Sequence, residues 1–382
     1  MVDPYTRAYW KGLERNWKDE VMASVFASLR LPAQREKYSI LAGQEPRAIE
    51  AVFATALAQG DGMFLGDATP LDAFYSDAYL QVEEAATKYG LAPRKRPLLG
   101  TLPTSRVNAQ VVLVERTGDL ILAFEAGLLP SIWYMGNLLA ATLQPDEQGK
   151  LLSFSPVSAD VRREAIAWGA KVIANYLFSG SPLISQPLKL DRNQQPLSRL
   201  LSGFMTHFVV GHEFAHLALD HLVGGQVTRF SMAGSVACAT VEVRDRECEY
   251  EADKVGLVLG VSSWLFRRKV PYLFSAPLSV FFLRFVETVH RAIELITASP
   301  FSDEEHPPIS DRIDVVIAAA ISLVGEERIA EYEAWSTLVT GIADELRDFT
   351  LPFIEALVRD GCRLSPLWSG ASKQFAMSDR SH

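Results

Sequence analysis

Residues 196–222 read PLSRLLSGFMTHFVVGHEFAHLALDHL, and this stretch decides what kind of fold the chain can have. Apolar residues recur through it at helical spacing. Pro196-Leu197-Ser198 has the form of a helix start, and Gly224-Gly225 that of a stop, so one long helix to Leu222 is expected. Inside it stand His212, Glu213 and His216, as H-E-F-A-H. Two histidines four residues apart share one helix face, with Cβ atoms roughly 5–6 Å apart, so both imidazoles can reach one metal ion. Glu213 points toward the same edge and can reach a water on that metal. Val209, Val210, Gly211, Phe214, Ala215, Leu217 and Ala218 surround the motif with small or apolar side chains, as in a helix buried on most sides. Buried ionisable groups are costly unless compensated. Two imidazoles with a nearby carboxylate and an open position suit zinc.

A catalytic metal needs a third protein ligand. The helical stretch 246–260, RECEYEADKVGLVLG, offers Glu249 and Asp253, four apart on one face. Glu249 can ligate while Asp253 accepts the N–H of a ligand histidine and fixes its tautomer. Glu247 and Glu251 are neighbours that spacing alone does not exclude.

Upstream, 106–114 (RVNAQVVLV) and 120–124 (LILAF) read as two strands joined by the turn ERTGD at 115–119. Helices are expected at 5–30, 46–60, 70–90, 127–143, 158–178, 277–298 and 310–324, with one or two more and a frayed tail in 326–382. The basic run APRKRP (92–97) reads as a proline-bounded, solvated linker, and 179–196 as a Ser- and Pro-rich loop. The expected class is α+β: a zincin-like core with a β-hairpin or small sheet and an active-site helix. Its parts are a helical N-terminal region (1–97), a core domain (98–325, with 144–195 inserted) and a C-terminal helical segment and tail (326–382).

Composition narrows the function. With 37 Lys+Arg against 46 Asp+Glu, the net charge of −9 argues against a nucleic-acid partner. A 48% hydrophobic content is too high for a disordered chain, and three cysteines make no disulfide framework. The N-terminal MVDPYTRAYWKGLERNWKDE lacks the apolar core of a secretory signal. The most apolar stretches are interrupted by charge, at Asp119 and Glu125 in 118–143 and at Arg284 and Glu287 in 270–289. They read as core elements, so a cytoplasmic protein without a transmembrane span is expected. The fragment GDGMFLG (60–66) misses the dinucleotide loop by one residue, and no G-x-S-x-G nucleophile motif occurs.

Three motifs in order, H-E-F-A-H-L-A-L-D-H, E-Y-E-A-D-K-V-G-L and H-P-P-I-S-D-R-I, resemble those of the gluzincin metallopeptidases over roughly 100–325. The resemblance implies one zinc ion held by His212, His216 and Glu249, with Glu213 as general base. It implies that His306 and Arg312 lie near the substrate carbonyl, and that the strand at Val107-Asn108-Ala109, followed later by Gly127-Leu128-Leu129, holds the peptide. Many such enzymes span membranes. The resemblance implies a soluble branch, akin to the phage-exclusion metallopeptidases. The function implied is a zinc endopeptidase acting on a protein or peptide. Two alternatives stand beside it: a latent peptidase switched by an activating or inhibitory protein partner, as in phage exclusion or stress response, and a catalytically silent, zinc-stabilised binding protein.

The other histidines read as bystanders. His221 lies about 140° round the helix from His216 and suits a capping or core-polar role. Asp220 reads as helix-end charge, His207 as structural and His290 as solvent-exposed. Cys238, Cys248 and Cys362 have no metal-binding spacing.

Overall fold

The computed structural model describes residues 2–16, 70–102, 104, 106–145, 154–182, 185–221, 226–230, 239–243, 246–268, 272–301 and 306–365. Residues 17–30 of the helix expected at 5–30, the helix expected at 46–60, the Gly224-Gly225 stop, Cys238 and the tail beyond 365 lie outside the described residues.

The described chain is mostly helical with three small sheets, an α+β arrangement. It runs α1 (Pro4–Asn16), α2 (Pro70–Lys88), β1 (Leu98–Leu102), β2 (Ala109–Val114), β3 (Asp119–Glu125) and α3 (Leu128–Thr142). Then come β4 (Leu143–Pro145), β5 (Phe154–Pro156), α4 (Ala159–Ser179), α5 (Gln194–Ala218), β6 (Gln226–Phe230) and β7 (Ala239–Val243). The chain continues through α6 (Arg246–Arg268), α7 (Tyr272–Thr297), α8 (Ile309–Val324) and α9 (Ile329–Arg359).

The expected hairpin forms, with β2 and β3 antiparallel and Val112 opposite Ile121. A strand that local pattern did not suggest, β1, adds in parallel on the far side of β3, giving the order β1-β3-β2. Alternation along β3 then serves two layers, because successive strand side chains face opposite ways. Ile121 and Ala123 pack with Tyr9, Trp10 and Leu13 of α1. Leu122 and Phe124 face the main core, where Phe124 stacks on Tyr75 of α2 with ring centroids 3.8 Å apart.

The long helix expected from 196 to 222 is observed as α5, from Gln194 to Ala218. It is the hub of the fold, packing against α2, α3, α6, α7 and the edge strand β2. Every residue of α3 beside it is buried. Ser198 donates to Asn137 Oδ1 at 2.5 Å, tying α5 to α3 through a polar contact that is itself buried. Within the stretch read as an insertion, α4 packs against α3 and α9.

Two boundaries differ from the sequence reading: helix α6 runs on to Arg268, and α7 begins at Tyr272 and carries Pro277 inside it. Of the one or two helices expected after 326, the described residues hold one of 31 residues. By length and composition, Leu273–Thr297 could cross a membrane, yet 72% of its most apolar window is buried inside the fold.

Candidate metal centre

The site is built where α5 crosses α6. The crossing is close enough for backbone to meet backbone. A Cβ on Gly256 would lie 2.6 Å from the His212 nitrogen, and one on Gly211 would lie 2.7 Å from the Gly256 carbonyl oxygen. Only glycine allows that approach. It brings the His212 turn of α5 directly over the Glu249–Asp253 turn of α6.

His212, Glu213, His216, Glu249 and Asp253 are all at most 5% exposed. Three of them converge. His212 Nε2 and His216 Nε2 lie 3.2 Å apart, Glu249 Oε1 is 3.3 Å from His216 Nε2, and Glu249 Oε2 is 3.4 Å from His212 Nε2. Ligand atoms about 2.0–2.1 Å from a tetrahedral ion are separated by roughly 3.3 Å. The two Glu249 distances are to its two oxygens, and the three side chains converge closely enough that this buried group can bind a metal ion. Spacing had left Glu247 and Glu251 open as the third donor. Glu249 is the carboxylate aimed inward, whereas the Glu251 side chain is 58% exposed.

Around the triangle the other residues take distinct places. Glu213 Oε1 lies 4.0 Å from His212 Nε2, at the edge of the donor group. His306 approaches from the segment before α8, its Nε2 3.9 Å from Glu249 Oε2. Asp253 sits behind His212, with Oδ1 2.9 Å from Nδ1. The resemblance implied an Arg312 near a substrate carbonyl. In the structure its Nε and Nη2 each donate to Asp253 at 2.8 Å. The physical reason is charge, since a carboxylate with no solvent exposure needs a cation beside it.

The electrostatics favour a cation in the triangle. Burial pushes the His212 pKa down, but Asp253 and Glu249 outweigh it and raise it from 6.5 to about 9. Burial pushes Asp253 up, but Arg312 and His212 bring it down to about 2. Burial also opposes the charge on Glu249, and His212, His306 and His216 together hold its carboxyl well below 4.5. The raised His212 pKa shows that the surrounding carboxylates favour a positive charge at this position, which a bound metal ion can supply in place of the proton.

His221 lies just past the end of α5 at Ala218, where a capping or core-polar role was expected. Asp220 takes a left-handed conformation, φ +58°, and the His221 N–H donates back to the His216 carbonyl at 3.2 Å. This is a Schellman turn, with aspartate in the place glycine usually holds. The turn returns the His221 ring to His216, Nδ1 to Nδ1 at 3.0 Å, and its Nε2 lies 3.1 Å from Glu251 Oε2. Asp220, two residues past the last helical residue Ala218, is the sequence signal for such a turn, since Asp tolerates the left-handed region. Asp220 also pairs with Arg94 at 2.8 Å, so the basic linker is partly engaged.

The remaining histidines lie away from the triangle. His207 is buried with Nδ1 2.7 Å from the Gly203 carbonyl, a structural role. His290 is half-buried rather than exposed, stacked on Phe301 with centroids 3.9 Å apart. Comparisons with protein-family models, with curated proteins and with solved structures find no match to this chain.

Proposed function

We propose that the chain is a zinc-dependent endopeptidase with a zincin-like core, hydrolysing peptide bonds in a protein or peptide substrate. One observation carries the reading: two imidazoles and a carboxylate at 3.2–3.4 Å spacing, with a second carboxylate, Glu213, beside them but outside the triangle. Two His and one Glu with an open position is the donor set of catalytic zinc. Zinc bound there supplies Lewis acidity, polarising a carbonyl and lowering the pKa of a coordinated water toward neutrality.

The chain's own residues account for the rest. Glu213 takes the proton of the attacking water and passes it to the leaving amine, a general base that becomes a general acid. His306, at the rim of the triangle, donates to the developing oxyanion. Asp253 holds His212 in the tautomer that leaves Nε2 free as a donor, and Arg312 holds Asp253. Arg312 thus acts through Asp253, while His306 keeps the place beside the reacting carbonyl.

The test combines metal analysis with hydrolysis of an unfolded protein such as casein. Wild type is expected to hold one zinc per chain and to cleave. Glu213→Gln is expected to keep the zinc and lose roughly 10²–10⁴-fold in rate. Full activity in that variant would sink the mechanism. Capture of uncleaved partners by the same variant, read by mass spectrometry, identifies the substrate.

A further inference from the structure

We infer that His221 and Glu251 form a hydrogen-bonded relay that fixes the tautomer and aim of His216 as a metal ligand. The inference rests on the metal-centre reading above and adds two positioning residues to it.

The positions of the ring protons define the relay. His216 Nε2 faces the donor triangle, 3.2 Å from His212 Nε2 and 3.3 Å from Glu249 Oε1. A ligating Nε2 offers its lone pair, so the proton of the neutral ring is on Nδ1. His216 Nδ1 lies 3.0 Å from His221 Nδ1. His221 must therefore accept at Nδ1 and carry its own proton on Nε2. That N–H faces Glu251 Oε2 at 3.1 Å, which is an acceptor. Every donor meets an acceptor in this single assignment. The opposite tautomer of His221 would set two N–H groups against each other and two acceptors against each other.

The arrangement parallels the one on the other ligand. His212 has its Nδ1 against Asp253, a carboxylate in direct reach at 2.9 Å. His216 reaches a carboxylate through an intervening imidazole. The His221 side chain is only 6% exposed while Glu251 is 58% exposed, so the relay runs from the buried ligand to the surface. The negative charge of Glu251 polarises His221 and makes its Nδ1 a stronger acceptor. That in turn makes His216 a more basic ligand.

A helix-capping role does not explain the ring. The cap is made by the backbone, through the His221 N–H and the His216 carbonyl. Replacing the side chain leaves the Schellman turn in place, and the two roles separate.

The experiment measures zinc affinity of the full-length chain by competition with a chromophoric chelator, and the visible spectrum of the cobalt(II)-substituted protein. His221→Ala is expected to weaken zinc binding about 10–100-fold and to shift the cobalt bands, with the melting temperature of the metal-free protein unchanged. His221→Asn keeps an acceptor near the Nδ1 position and is expected to recover most of the affinity. Glu251→Gln alters an exposed side chain, where folding is not at stake. It is expected to weaken binding about threefold, the scale of an exposed charge contact, and to shift the bands slightly. Wild-type affinity and spectrum in His221→Ala, or in Glu251→Gln should His221→Ala not fold, overturn the relay. A wild-type chain that binds neither metal overturns the underlying metal-centre reading instead.

Discussion

The Arg312 guanidinium holds both oxygens of Asp253, Nε on Oδ2 and Nη2 on Oδ1, each at 2.8 Å. Asp253 has no solvent exposure, so this pairing is what allows a charged carboxylate to stand behind His212. Removing the cation strands the anion. Arg312→Ala is expected to cost about 3–5 kcal/mol of stability, the usual penalty for breaking a buried pair from one side. Adding Asp253→Asn removes the stranded charge and should return part of that loss. Chemical denaturation of the two single variants and the double variant measures the coupling. Strict additivity would mean the two side chains act independently.

The choice of Glu249 over its acidic neighbours can be checked by metal content. Glu249→Ala is expected to abolish stoichiometric zinc in elemental analysis. Glu251→Ala should retain one zinc per chain, because its carboxylate lies on the far side of His221. The reverse pattern would assign the ligand to the wrong carboxylate.

Gly256 is a point where α6 touches the backbone of α5: a Cβ there would lie 2.6 Å from the His212 nitrogen. No side chain can move aside there, so Gly256→Ala must part the helices. The expected cost is about 1–3 kcal/mol in denaturation, as for an overpacked core. Zinc affinity should fall with it, since the two ligand-bearing turns separate together. An unchanged affinity would mean that the crossing does not set the site.

Helix α1 reports on acid. Asp119 accepts a hydrogen bond from Thr6 and pairs with Lys95 at 2.6 Å, fastening α1 and the linker to the hairpin. Burial raises the Asp119 pKa, but Lys95, Thr6 and Thr117 outweigh it and leave it below 3.8. A carboxylate depressed in the folded state stabilises it above the unfolded value of 3.8. That contribution is lost as pH falls from there through the folded value. Amide exchange in α1, measured relative to the rest of the chain, should therefore accelerate in this acid range. Asp119→Asn should show the faster exchange already at neutral pH and lose the acid step.

What could be read in advance was local. The H-E-F-A-H helix, the hairpin turn at 115–119 and the helices α3 and α4 follow from short-range periodicity and turn chemistry. Glu249 stood out only as one member of an acidic run, because four-residue spacing cannot say which side of α6 meets α5. What was not legible depended on contacts far apart in sequence. The parallel pairing of β1 with β3 is one case. The Gly211–Gly256 contact is another, although glycines at 256 and 260, one turn apart, are the trace it leaves. The direction of the His221 ring was not legible for a different reason: an angle counted along an ideal helix has no meaning past Asp220, where the backbone reverses hand.

The apolar helix α7 carries a consequence for how the chain is made. Its principal cover is α9, which leaves the ribosome after it. Until residues 329–359 emerge, a helix with membrane-like hydropathy stands with its main packing face bare. Synthesis runs from the N-terminus, and exposed apolar surface of this kind is what aggregates or recruits chaperones. The metal-binding helices are complete earlier in translation, yet the body that supports them closes only with the last long helix.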